Sequence, residues 1–161
     1  MKSKDHLNKN CPIEIQALYS EIRETLLSYR KQAYASVNSA IVQTYWNIGR
    51  LIVEYEQKGN FRAEYGKRLL QNISQKLTKD FGRGFDIRNL QYMKAFYVSF
   101  QKTNAVRSEL SWTQYRILLR IENANARNWY MEECIRSAWS SRQLERQINT
   151  LYKETSMTFS L

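Results

Sequence analysis

One proline, five glycines, two cysteines and a single histidine are all that 161 residues contain of these types. Each scarcity closes a class of answers. Few chain breakers mean few tight turns, which disfavours a turn-rich β fold and favours long helices. The one proline, Pro12, suits the first turn of a helix, where its missing N–H is no loss. Cys11 and Cys134 lie far apart with no metal-ligand spacing around them, so they read as reduced thiols of an intracellular protein. His6 sits in the polar start, which leaves no zinc site and no histidine-based triad. No cofactor pattern is present, and none is expected. No apolar run approaches the ~18–20 residues of a membrane span, and the N-terminus lacks the hydrophobic stretch of a signal peptide. The chain reads as cytoplasmic, with no membrane partner.

What is present is apolar and basic. A hydrophobic content of 43% with 13% aromatics is enough for a packed core, unlike a disordered basic protein. The length fits one domain. The formal charge of +10 is concentrated: residues 58–120 hold thirteen Lys/Arg against four Asp/Glu, a net +9, and the flanks are nearly balanced. A local excess of this size points to a polyanion partner, nucleic acid first.

Apolar residues recur at helical spacing from residue 13 to 57, through Ile15, Leu18, Ile22, Leu26, Tyr29, Ala33 and Val37, then Ile41, Tyr45, Ile48, Ile52 and Tyr55. This predicts one very long helix, or two nearly collinear ones broken near Asn38-Ser39. A single helix would span about 65 Å, more than a domain of this size needs, so part of it is expected to pack against a second copy. Gly49 inside this pattern costs about 1 kcal/mol relative to alanine, and close approach of another helix is the expected reason. A second helix is predicted over 63–79, with Tyr65, Leu69, Ile73 and Leu77 inward. Asp86 is a good N-cap for a third over 87–100, with Ile87, Leu90, Met93, Tyr97 and Phe100 inward and Arg88, Gln91, Tyr92 and Ala95 outward. A polar loop over 102–109 follows. Ser111–Gln114 and Ser140–Gln143 both match capping boxes, starting helices to about 121 and 152. Between them a helix is predicted over 126–137, with Trp129, Tyr130, Cys134 and Ala138 inward. The expected fold is an all-α helical bundle with a long N-terminal helix. Its divisions are a flexible start (1–12), one helical domain (13–153) and a frayed end (154–161).

The run Asp80-Phe81-Gly82-Arg83-Gly84-Phe85-Asp86, between two helices in the basic block, looks like the turn of a helix-turn-helix, though longer than the usual three or four residues. An ordinary bundle connection is the alternative. On the first reading the helix after the turn enters the major groove, and Arg88, Asn89, Gln91, Tyr92 and Lys94 are the candidate base readers. Arginine pairs with guanine, and asparagine or glutamine with adenine. Lys67, Arg68, Lys76, Lys79 and Arg83 are the candidate phosphate contacts, which anchor without specifying sequence. Gly82 and Gly84 would supply the turn's special backbone angles. Phe81, Phe85, Trp46, Trp112, Trp129 and Trp139 are expected in the core, with an aromatic platform for single strands as the minor alternative.

Several phrases occur in a fixed order: Tyr45-Trp46-Asn47-Ile48-Gly49-Arg50, Tyr65-Gly66-Lys67-Arg68-Leu69-Leu70, Phe81-Gly82-Arg83-Gly84-Phe85 and Asn89-Leu90-Gln91-Tyr92-Met93. They continue with Leu110-Ser111-Trp112, Arg127-Asn128-Trp129-Tyr130 and Trp139-Ser140-Ser141-Arg142-Gln143-Leu144. Together, over residues 13–153, they resemble the N-terminal domain of the YhcG family, bacterial proteins long filed as a domain of unknown function. The resemblance implies a DNA-binding module that usually precedes a nuclease domain of the PD-(D/E)xK type, in proteins often found near restriction-modification or mobile-element loci. A nuclease domain or a restriction-modification protein is therefore an expected partner, besides DNA and a second copy of the chain.

No Pro-Asp followed by (Asp/Glu)-x-Lys occurs in this sequence. The only bare Glu-x-Lys, Glu56-Gln57-Lys58, reads as a solvated helix end, and the clustered carboxylates that hold Mg²⁺ are missing. The expectation is a non-catalytic DNA-binding module whose nuclease domain lies outside the chain, either a natural stand-alone domain or a piece of a longer protein. A helical protein-interaction or oligomerisation module is the alternative.

Overall fold

The structure, a computed structural model, describes residues 11–58, 63–101 and 106–158. The described residues form six helices: α1 (Cys11–Lys58), α2 (Ala63–Phe81), α3 (Ile87–Phe100), α4 (Trp112–Leu118), α5 (Ala124–Arg136) and α6 (Ser141–Thr158). No strand occurs among them, so the all-α expectation holds. α1 is one unbroken helix, with no interruption at Asn38-Ser39. α6 runs on to Thr158, past the predicted end. The flexible start expected over 1–12 falls mostly on residues outside those described, as does the last part of the frayed end.

Two compact units divide the chain, Met1–Val37 and Asn38–Leu161. In the first, the described side chains from Ile15 onward are all exposed, including Ile15, Leu18, Ile22, Leu26, Tyr29 and Val37.

The second unit holds the core. One cluster joins Val42 to Phe96, Phe100, Leu110, Tyr115, Leu118, Met131, Cys134 and Leu144; another joins Ile52, Leu70, Leu90 and Met93. α4 packs against α3, α5 and α6, so this short helix is the hub. The rings of Phe96, Phe100, Tyr115 and Trp112 meet edge-on or tilted, at centroid distances from 4.5 to 5.5 Å. Such contacts add about 0.5–1.5 kcal/mol each beyond burial.

The local signals are realised at the helix ends. Ser111 Oγ accepts from Gln114 N, and Gln114 Oε1 accepts from Ser111 N at 2.7 Å, a complete capping box. Ser140 and Gln143 repeat it. Asp86 caps α3 by accepting from Asn89 N at 2.9 Å. Asn123 caps α5, its side chain accepting from Ala126 N at 3.0 Å.

Gly49 is where α1 meets α3: a Cβ there would lie 2.0 Å from the Met93 carbonyl oxygen. Close helix approach is therefore the reason for this glycine.

Five burial expectations are corrected. Leu70, not Tyr65, is the fully buried residue of α2; Tyr65 is 44% exposed and Leu70 5%. Ile87, at the α3 N-terminus, lies at the surface, and Phe96 takes the inward place that spacing did not assign. Phe81 is 71% and Trp129 53% exposed, so neither is a core residue. Ala138 is exposed and takes φ 49° just past α5, where the chain reverses into the next cap.

Candidate nucleic-acid interface

α2 and α3 pack against each other and are joined by residues 82–86. Gly82 has φ 83° and Gly84 φ 109°, the left-handed region that glycine enters at little cost. Gly82 N also donates to Thr78 O at 3.0 Å, closing the C-terminus of α2. The glycines therefore supply the backbone angles expected of them.

On α2, Leu69, Leu70, Ile73 and Leu77 turn inward while Lys67, Arg68, Lys76 and Lys79 are exposed. Their placement around the axis is uneven. Arg68 and Lys79 are separated by about three turns and share a face; Lys67 and Lys76 are about two and a half turns apart, on opposite flanks. Lys76 and Lys79 thus belong to one side, and Lys67 to the other. Arg83, in the turn, is exposed.

α3 sorts its five candidate readers into two groups. Arg88 and Gln91 are exposed, with Tyr92 half-buried at the edge of their face. Asn89 is committed to the fold. Its Nδ2 donates to Gly84 O, and its Oδ1 accepts from Trp112 Nε1 at 3.1 Å, tying the turn to α4. Lys94 is committed too: its ammonium lies 2.6 Å from Glu56 Oε2 and 2.8 Å from Oε1, across to α1. That pair also removes Glu56 from the solvated Glu-x-Lys terminus expected from sequence.

Arg116, on α4, is a residue that sequence reasoning did not single out. Its guanidinium lies 4.7 Å from the centre of the Tyr92 ring, and that of Arg88 lies 5.9 Å from it. The Tyr92 phenol is held below its ordinary pKa, first by hydrogen bonding with Arg88 and then by the charge of Arg88 and by Arg116, against desolvation, the second-largest effect, which acts in the other direction. Two cations from different helices therefore converge on one ring. Arg116 is one of thirteen basic residues in its block, and no spacing rule links it to a tyrosine 24 residues earlier.

The block's charge is partly cancelled from outside. Glu56, Glu132 and Glu145, all in the flanks, pair with Lys94, Arg107 and Arg120. Among the described residues, no carboxylate lies within ion-pair distance of Lys67, Lys76, Lys79, Arg83, Arg88 or Arg116. The uncompensated charge is thus narrower than the sequence block, centred on α2, the turn and the α3–α4 edge. No group of three or more His, Cys, Asp or Glu that could hold a metal occurs among the described residues. No helix among them is long and apolar enough to cross a membrane.

The DUF1016 N-terminal domain matches residues 21–155. A protein named "Putative nuclease YhcG", from Escherichia coli (strain K12), is 32% identical, aligned over 95% of this chain and 49% of its own length. The chain therefore spans about half the length of that relative. No solved structure matches. With the family's domain matched over most of its length, the chain belongs to the DUF1016 N-terminal domain family.

Proposed function

We propose that this chain is the nucleic-acid-binding module of a nuclease-associated protein, itself non-catalytic, with duplex DNA as its ligand. The observation that carries the reading is the uncompensated positive surface formed by Lys76, Lys79, Arg83, Arg88 and Arg116. The turn and α3 serve as a helix-turn-helix: Arg88 and Gln91 face base edges from the start of the second helix, where such motifs read sequence. The lysines of α2 and Arg83 face phosphates. Asn89 and Lys94 support the geometry from within the fold. The relative's name, with its reference to a nuclease, supports a DNA-processing setting in which another part of the protein, or a partner such as a restriction-modification component, supplies the chemistry.

The test is binding of the chain to a mixed-sequence DNA duplex, followed by fluorescence anisotropy from about 50 to 300 mM salt. Several phosphate contacts would make affinity fall steeply with salt. Absence of binding at the lowest salt would remove the DNA reading.

A second reading is assembly through the first unit. Ile15, Leu18, Ile22, Leu26, Tyr29, Ala33 and Val37 recur with an eleven-residue period, the pattern of a right-handed supercoiled helix pair. All are exposed. Glu21 flanks this stripe on one side, with Arg23 and Arg30 on the other, so a second copy laid parallel sets acid against base. Mass in solution, with and without DNA, separates the readings. A monomer at all concentrations would end this one.

A further inference from the structure

The convergence of Arg88 and Arg116 on Tyr92 has a physical oddity. Like charges repel, and a carboxylate beside two guanidiniums would offset that repulsion. Here no described carboxylate pairs with either. Both guanidiniums lie instead against the Tyr92 ring face. Arg116 is also fixed along its stem. It is half-buried, and its Nε is shut off from solvent with no hydrogen-bond partner. Its neighbours Tyr115 and Ile117 are core residues of the hub helix. The arm is therefore rigid where the lysines of α2 are long and mobile, and ordering it on binding loses little side-chain entropy.

From this geometry we infer that Arg116, set by Tyr92, is a phosphodiester-binding arm that extends the DNA interface from α3 onto α4. The inference rests on the DNA reading proposed above. A phosphodiester is the matching ligand for three reasons. It is an anion, which offsets the like-charge repulsion of the pair. It offers two oxygens to a planar guanidinium fork. It also recurs along a duplex, so one bound beside α3 leaves Arg88 and Gln91 over the adjacent groove. Tyr92 is then a positioning residue rather than a base reader: its ring holds Arg116.

Arg116→Ala and Lys79→Ala are compared with the unaltered chain by anisotropy on the same duplex across salt, with thermal melting of each protein in parallel. Arg116→Ala is expected to weaken binding roughly tenfold at low salt and to lower the salt slope by about one, equally on unrelated sequences and without a fall in melting temperature beyond that of Lys79→Ala. In the unaltered protein, the side-chain N–H signal of ¹⁵N-labelled Arg116, identified by its loss in Arg116→Lys, is expected to shift on adding duplex. This second readout decides the matter if Arg116→Ala fails to fold. Binding by the unaltered chain with no change in slope for Arg116→Ala would overturn the phosphate arm and leave the DNA reading standing; so would an unmoved Arg116 signal. No binding by the unaltered chain would remove both.

Discussion

Gly49 of α1 faces the backbone of Met93 in α3, so closely that a Cβ would meet the Met93 carbonyl carbon at 2.6 Å and its oxygen at 2.0 Å. The obstacle is main chain, which cannot swing aside as a side-chain tip would. Gly49→Ala should therefore force the two helices apart. The loss, about 1–3 kcal/mol for overpacking, outweighs the gain of about 1 kcal/mol in helix propensity only if the contact is rigid. With Tyr97 Cβ also close, at 3.2 Å, the expected net loss is about 2 kcal/mol, or roughly 5 °C in Tm. An unchanged or higher Tm in a melting experiment would show that the crossing opens freely.

Gln114 is buried and closes three structures at once. Its Oε1 accepts from Ser111 N, and its Nε2 donates to Trp139 O at 2.7 Å and to Cys134 Sγ at 3.4 Å. Gln114→Ala leaves the Ser111 N–H without a partner, at about 1–3 kcal/mol, and the Trp139 carbonyl with only the weak Cys134 thiol as donor. Denaturant unfolding should show a loss of about 3 kcal/mol, larger than that for Gln143→Ala in the exposed second capping box. Equal losses would mean that only the cap, and not the bridge to Trp139, contributes.

Alkaline pH should destabilise the fold. Burial pushes the Tyr115 and Tyr130 phenols and the Cys134 thiol above their ordinary pKa values. The folded chain therefore holds these protons more tightly than the unfolded chain. Their contribution is complete below the unfolded values, about 8.5 for the thiol and about 10 for the phenols, and is lost as pH rises past them. Stability measured from pH 7 to 11 should be level and then fall. Tyr115 exchanges hydrogen bonds with the Arg107 backbone, at 2.8 Å as acceptor and 3.2 Å as donor. Tyr115→Phe should thus be less stable at pH 7 yet fall less steeply above pH 10. A parallel fall would place the titration on other groups.

Within the DNA reading, substitutions on α2 and α3 should separate by kind. Lys79→Ala should weaken binding evenly across sequences and reduce the salt slope by about one, whereas Arg88→Ala should relax preference at the base it faces, by about 1–3 kcal/mol. Binding to a small panel of duplexes at fixed salt checks both. Affinities unchanged by either substitution would mean the contact surface lies elsewhere.

How much was legible in the sequence depends on how far apart the partners are. Ser111 with Gln114, and Asp86 with Asn89, are three residues apart, and a local rule finds them. Gly49 was legible because an unfavourable residue in a strong pattern needs a tertiary reason. The stripe on α2 held at Leu69, Ile73 and Leu77 but included Tyr65 and missed Leu70, because helical spacing leaves a wide stripe whose most buried position only the neighbouring helices choose. Phe81 and Trp129 were assigned inward by residue type alone, which says nothing of where a helix ends or which face its neighbours cover. For the site, exposure of Arg88 and Gln91 followed from periodicity. The commitment of Asn89 to Trp112 and of Lys94 to Glu56 did not, since those partners lie 23 and 38 residues away. Arg116 was hidden for the same reason: its meaning comes from a ring on another helix.

Cys134 turns the hub of the fold into a clock. The residue is 1% exposed, its sulfur in contact with Gln114 and the Trp139 carbonyl between α4, α5 and α6. A thiol reagent can reach it only in the moments when those helices part. The rate at which this one cysteine is tagged, read by mass after digestion, therefore counts openings of the native molecule under conditions in which almost every copy remains folded.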